Sequence, residues 1–123
     1  MPHYRDAVTN YDLFKLGDFE FQCRVVLPDT KLAYRTYGKL NPEGSNAVLI
    51  AVPVNGTHQD AASIHIEGEN RAISPEKHFV IIPDMFGDGL SSSPSNTPSP
   101  FDGVDFPSVT IYDNVRAQHR LVT

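Results

Sequence analysis

The sequence predicts an α/β fold with a partly parallel sheet, and three observations carry that expectation. Two short runs, Ala47–Val54 (AVLIAVPV) and Phe79–Pro83 (FVIIP), are apolar, β-branched and not alternating. That is how a strand covered on both faces reads, and it is the signature of parallel pairing. The segment between them is long enough for a crossover with a helix in it. Ahead of them, two stretches alternate apolar and polar residues, as antiparallel strands with one wetted face do.

The elements follow in chain order. Phe19–Val26 (FEFQCRVV) alternates and closes on Pro28-Asp29, a turn signal. Lys31–Tyr37 (KLAYRTY) alternates again and stops at Gly38, so the two are expected to pair as a hairpin. The polar LNPEGSN turn leads to the first buried strand. Gly56–Lys77 is expected to hold a loop, one short helix and a turn at Ser74-Pro75-Glu76. The second buried strand runs into a loop of glycines, serines and prolines. Thr110 with Asp113 three residues on predicts an N-cap with a carboxylate in the first helical turn. Ile111, Val115, Ala117 and Leu121–Val122 are expected to form the buried face of that helix. The chain reaches Thr123 without Gly, Asn or Pro as a C-cap. We therefore expect one incomplete domain, with residues 1–12 as a tail and 13–123 carrying strands one to four and the following helix.

Composition excludes several function classes. The 123 residues suffice for one ordinary domain. Apolar residues make up 40% and charged residues 20%, as in folded soluble chains. A formal charge of −5 argues against nucleic-acid or anionic-membrane partners. No apolar run reaches the length of a bilayer-spanning helix. The lone cysteine, Cys23, rules out an internal disulfide and fits a cytoplasmic, reducing compartment.

The loop HFVIIPDMFGDGLSSSPSNTPSP, from His78 to Pro100, invites three readings. A nucleophile elbow needs G-x-S-x-G at a strand-to-helix turn, which the chain lacks, and Pro94 after Ser91, Ser92 and Ser93 opens no helix. A nucleotide loop needs a third glycine and a helix N-terminus where GDGLSS offers neither. The third reading is a structural turn framed by Asp84, Gly87, Gly89, Ser91 and Pro94. Its glycines supply positive φ, while Asp84 and Ser91 bond nearby backbone. Such a turn, at a strand's carboxyl end, flanks a ligand site without being its chemistry. Among other candidates, His58, Asp60 and His65 match no defined metal spacing, so no metal is expected. Asp60, Glu67 and Glu69 read better as a hydrated acidic loop than as paired catalytic carboxylates. Cys23 is expected to be inert, and Arg116 either to pair with Asp84 or to face solvent.

Three segments carry a family resemblance: Leu32–Ile50 (LAYRTYGKLNPEGSNAVLI), Ile73–Ser95 (ISPEKHFVIIPDMFGDGLSSSPS) and Asp105–Val122 (DFPSVTIYDNVRAQHRLV). In this order and spacing the chain resembles the homoserine O-acetyltransferase-like family of α/β-hydrolase-fold proteins, N-terminal part only. The resemblance implies acyl transfer from acyl-CoA to a hydroxyl, or ester hydrolysis, through a Ser–Asp–His triad. All three triad members would fall beyond Thr123. It implies no resident cofactor, with acyl-CoA open as a co-substrate. It also implies one catalytic element here: matching Gly56 to the family's loop glycine places a backbone oxyanion-hole donor at Val54 or Asn55, since Pro53 has no N–H. The family's acetyltransferases carry His-Ala-Leu-Thr-Gly at this loop, whereas this chain carries Val-Pro-Val-Asn-Gly. That leaves an ester hydrolase, or a transferase using another alcohol, open. The family's strand order would leave Ala47–Val52 with a missing neighbour. The alternative function is a non-catalytic fragment that pairs with a complementary chain or a second copy of itself.

Overall fold

The computed structural model describes residues 8–53 and 55–123. Strand β1 (Asp12–Glu20) and strand β2 (Val26–Tyr37) form an antiparallel hairpin. Strand β3 (Ala47–Leu49), helix α1 (His58–His65) and strand β4 (Phe79–Pro83) follow. A 3-10 turn at Gly103–Asp105 precedes helix α2 (Ile111–Val122). The sheet order is β1-β2-β4-β3, with β4 antiparallel to β2 and parallel to β3. The mixed sheet and crossover predicted from the sequence are therefore present.

The hairpin is displaced from its expected position. Phe19–Val26 is mostly the turn: Phe21 N–H donates to Val25 O at 2.9 Å and Arg24 N–H to Phe21 O at 2.9 Å. The alternation misled because it continues past the strand end, where Phe21 still packs edge-on against Phe19 and Phe86. Cys23 lies at this turn and is exposed, so the expected strand position for it does not hold. Pro28-Asp29, expected as the turn, lies inside β2 opposite the register shifts around Gly17. Asp29 (φ 51°) and Gly17 (φ 69°) both take the left-handed conformation of a bulged pair. Proline fits there because β2 pairs with β4 only over Tyr34–Tyr37, so its missing N–H interrupts no ladder with β4.

The two apolar strands also differ from expectation. In β4, Val80 and Ile82 are fully buried while Phe79 and Ile81 are half-buried. β3 is only three residues long and forms the outer strand, with Leu49 47% exposed. Among the described residues β3 pairs only with β4, without the second neighbour that its composition anticipates.

The core has two parts. Leu16, Phe19, Phe21, Leu27, Leu32 and Phe86 pack with Ala117 of α2. Ile50, Val80, Ile82 and Ile66 pack with Ala61 and Ala62 of α1. Alanines at the helix contacts let both helices approach closely. Thr110 caps α2 as expected: its hydroxyl accepts from Asp113 N–H at 3.2 Å, and Thr110 N–H donates to the Asp113 carboxylate at 3.0 Å.

Only part of the expected face of α2 is buried: Ala117 lies in the core and Leu121 packs against it, while the other apolar members face outward. Ile111 is 74% exposed and Val115 is 55% exposed, whereas Asp113, Asn114, Ala117 and Gln118 are buried. The helix turns polar groups inward because it packs partly on backbone of the loops, whose N–H groups need acceptors. Asp113 accepts from Gln22 N–H at 2.9 Å, and Asn114 accepts from Phe86 N–H at 2.8 Å. Arg116 pairs with Asp113 at 3.4 Å, donates to Glu20 O at 2.9 Å and stacks over Phe19, so it does not reach Asp84.

A candidate acyl site at the carboxyl ends of the parallel strands

The parallel pair β3 and β4 directs two loops to the same edge of the sheet, where ligands bind in open α/β folds. The loop after β3 contributes Val52, Pro53, Asn55 and Gly56, and the loop after β4 contributes Met85, Phe86, Gly87 and Asp88. Together they line a cleft of about 240 Å³. Asn55 stands at its mouth with φ 61°, a left-handed conformation that asparagine tolerates better than most residues. Gly56 is dictated by space, since a Cβ there would lie 2.5 Å from Pro53 Cγ. Its N–H donates to Pro53 O at 2.9 Å and closes the turn. Val54, the other expected donor, lies outside the described residues.

Behind the cleft lies a buried polar pair. Asp84 directly follows β4, and its carboxylate accepts from His58 N–H at 2.7 Å and meets His58 Nδ1 at 2.6 Å. Both side chains are fully buried. A carboxylate only accepts, so the ring proton belongs on Nδ1. His58 Nε2 is buried and has no hydrogen-bond partner among the described residues. The partner of Asp84 is thus the first residue of α1, where local backbone was expected. Asp60 caps α1 through Thr57 N–H at 2.8 Å, so His58 and Asp60 are committed separately and do not gather a metal with His65. Glu67 meets Ser63 at 3.2 Å on the surface.

Asp88 adds a second carboxyl. Burial first, then the charge of Asp84 and a side-chain hydrogen bond with it, raise its pKa against the opposing hydrogen bonds from Leu90 and Ser91 N–H, to about 7. Those amides donate to its Oδ1 at 2.8 and 3.1 Å, while its buried Oδ2 lacks a partner among the described residues. Gly87 (φ 85°) and Gly89 (φ 98°) provide the sharp bends on either side.

The serines hold the loop against β2. Ser91 Oγ donates to Asp84 O at 2.7 Å and accepts from Ala33 N–H at 2.9 Å. Ser92 Oγ accepts from Lys31 N–H at 2.9 Å, and Ser93 Oγ donates to Ser91 O at 2.7 Å. All three are buried, so none is presented as a nucleophile. Three contributors were not read from the sequence. Asn96 donates to Ser91 O at 3.0 Å and accepts from Ser93 N–H at 2.8 Å, Asn114 holds Phe86, and His58 was weighed only as a metal ligand. An aspartate closing one strand and a histidine opening the helix beyond its parallel neighbour is the signal that could have paired them.

Strand order, crossover and loop placement define a protein of the α/β-hydrolase class. No protein-family model matches the chain. It is 38% identical over 113 residues to an ethyl acetate hydrolase of Pseudomonas veronii, covering 92% of this chain and 32% of that protein. It is 41% identical over 113 residues to a probable esterase of Corynebacterium glutamicum, covering 91% and 32%. With a homoserine O-acetyltransferase of Rhodopseudomonas palustris it shares 34% identity over 115 residues, covering 81% and 28%. The solved structure of the acetyl esterase MekB superposes with a TM-score of 0.90 at 36% identity, over 97% of this chain and 34% of that one. The chain belongs to the homoserine O-acetyltransferase-like family of α/β-hydrolase-fold proteins, and it spans about a third of the length of the curated relatives it matches.

Proposed function

We propose that this chain is the N-terminal portion of an ester hydrolase or acyltransferase that works through a serine acyl-enzyme, with short acyl esters as substrates. The observation that carries the reading is the cleft between the Pro53–Gly56 turn and Met85–Asp88, at the carboxyl end of the one parallel strand pair among the described residues. Backbone N–H groups at such a turn stabilise the oxyanion of a tetrahedral intermediate, provided a nucleophile lies beside them. The donor is Val54 or Asn55, and the serine, acid and histidine come from residues outside this chain. Serine attack would then give an acyl-enzyme that water or an alcohol resolves. Ester hydrolysis is favoured over transfer, because the loop lacks the transferases' His-Ala-Leu-Thr-Gly run and two esterases are among the relatives. Acyl-CoA stays the alternative donor. A lone exposed cysteine supports a cytoplasmic home. Among the described residues no helix is long and apolar enough to cross a membrane.

Residues 1–123 would form one part of a single domain, and its other part would cover exposed apolar surface. Ile111, Tyr112, Val115 and Val122 lie open on α2, and Leu49 on β3. The same surface favours the second reading, a non-catalytic chain that pairs with a complementary one. Incubation with p-nitrophenyl acetate and acetyl-CoA separates them. The chain alone should give no turnover, and turnover appearing on addition of a nucleophile-bearing partner supports the enzyme. Turnover by the chain alone would overturn both readings.

A further inference from the structure

We propose that His58 and Asp84 form a positioning dyad that sets the Asn55–Gly56 turn against the Met85–Asp88 loop. The proposal rests on reading the cleft as an acyl site, and it assigns that site its orienting residues. Both carboxylate oxygens of Asp84 contact His58, at 2.7 Å to the backbone N–H and 2.6 Å to the ring. The clamp is not needed to start α1, because Thr57 and Asp60 already form that helix's capping box. What the clamp does is join the start of α1 to the loop after β4, which no strand pairing joins.

Its hold carries back to Asn55 through a short, stiff path. Only Gly56 and Thr57 separate Asn55 from His58. Gly56 N–H is tied to Pro53 O at 2.9 Å, and Thr57 N–H to Asp60 at 2.8 Å. Pro53 fixes its own φ. With His58 held, little freedom is left to the turn. An apolar pair could fill the same buried volume without the desolvation cost of a carboxylate. His58 Nε2 also stays buried without a partner among the described residues, which packing alone does not explain.

Hydrogen exchange of the 123-residue chain, followed by mass spectrometry, tests the dyad. Asp84→Ala should speed exchange across Asn55–His58 by about tenfold or more, and leave the β1–β2 hairpin within about twofold. Asp84→Asn should stay within about threefold of the parent at Asn55–His58, because the amide can accept from His58 N–H and donate to Nδ1 of the other tautomer. Should Asp84→Ala not fold, His58→Phe serves instead: it keeps the backbone bond and ring volume, and should still loosen Asn55–His58 by about threefold or more. Unchanged exchange in that segment, or equal acceleration throughout the chain, overturns the dyad. The readout needs no turnover. A loosened turn in a protein that never hydrolyses esters would therefore sink the acyl reading alone.

Discussion

Replacing Asp88 by asparagine should remove a pH dependence of stability that the native chain carries. Asp88 sits against Asp84 with one carboxylate oxygen buried and unpaired among the described residues, and its pKa is raised from the ordinary 3.8 to about 7. A raised carboxyl pKa means the folded state holds a proton that the unfolded chain has released. Stability from this group is therefore complete below about pH 4 and is lost as pH rises toward 7, after which it stays flat. The full shift corresponds to about 4 kcal/mol, and partial solvent access brings the expectation to about 2–4 kcal/mol. The Asp88→Asn side chain would mimic the protonated carboxyl, still accepting from Leu90 and Ser91 N–H. Urea unfolding at pH 5 and pH 8 should thus find the stability of the variant relative to the parent larger at pH 8 than at pH 5, since the parent loses the remainder of this contribution between the two. Parallel pH profiles for the two proteins would refute the reasoning.

Other outcomes follow from single contacts. Asp113→Ala removes the α2 capping box and leaves Gln22 N–H without its acceptor, so denaturant unfolding should show a loss of about 2–4 kcal/mol. Gly38→Ala places a Cβ 2.2 Å from His78 O and 2.6 Å from Pro75 O at φ 79°. It should cost at least about 2 kcal/mol by thermal unfolding, whereas Gly44→Ala, where nothing lies within 4 Å, should cost less. Leu49→Lys puts a charge on the outer strand and should reduce self-association in sedimentation velocity.

Much of the scaffold was legible because its signals were local. The β-branched run of β4, the capping box at Thr110 and the glycines at 87 and 89 each dictate a conformation within a few residues. What the sequence concealed came from distant contacts. Phe21 continues an alternating pattern into a turn, because its ring is buried by Phe86 far along the chain. The helix face of α2 is only partly legible: Ala117 and Leu121 pack inward as read, but Asp113 and Asn114 also turn in to serve backbone donors at Gln22 and Phe86. Within the site, the glycine-serine frame marked the loop after β4, but the His58–Asp84 pair joins that loop to the start of α1 and has no spacing signature.

The central proposal is that this chain would supply the cleft and the oxyanion loop of an enzyme whose nucleophile comes from elsewhere. The most direct test substitutes residues 1–123 for the matching third of the Pseudomonas veronii ethyl acetate hydrolase and assays acetyl-ester hydrolysis beside the isolated chain. The account predicts hydrolysis by the folded chimera and none by the chain alone. A folded but inactive chimera, or turnover by the isolated chain, would contradict it.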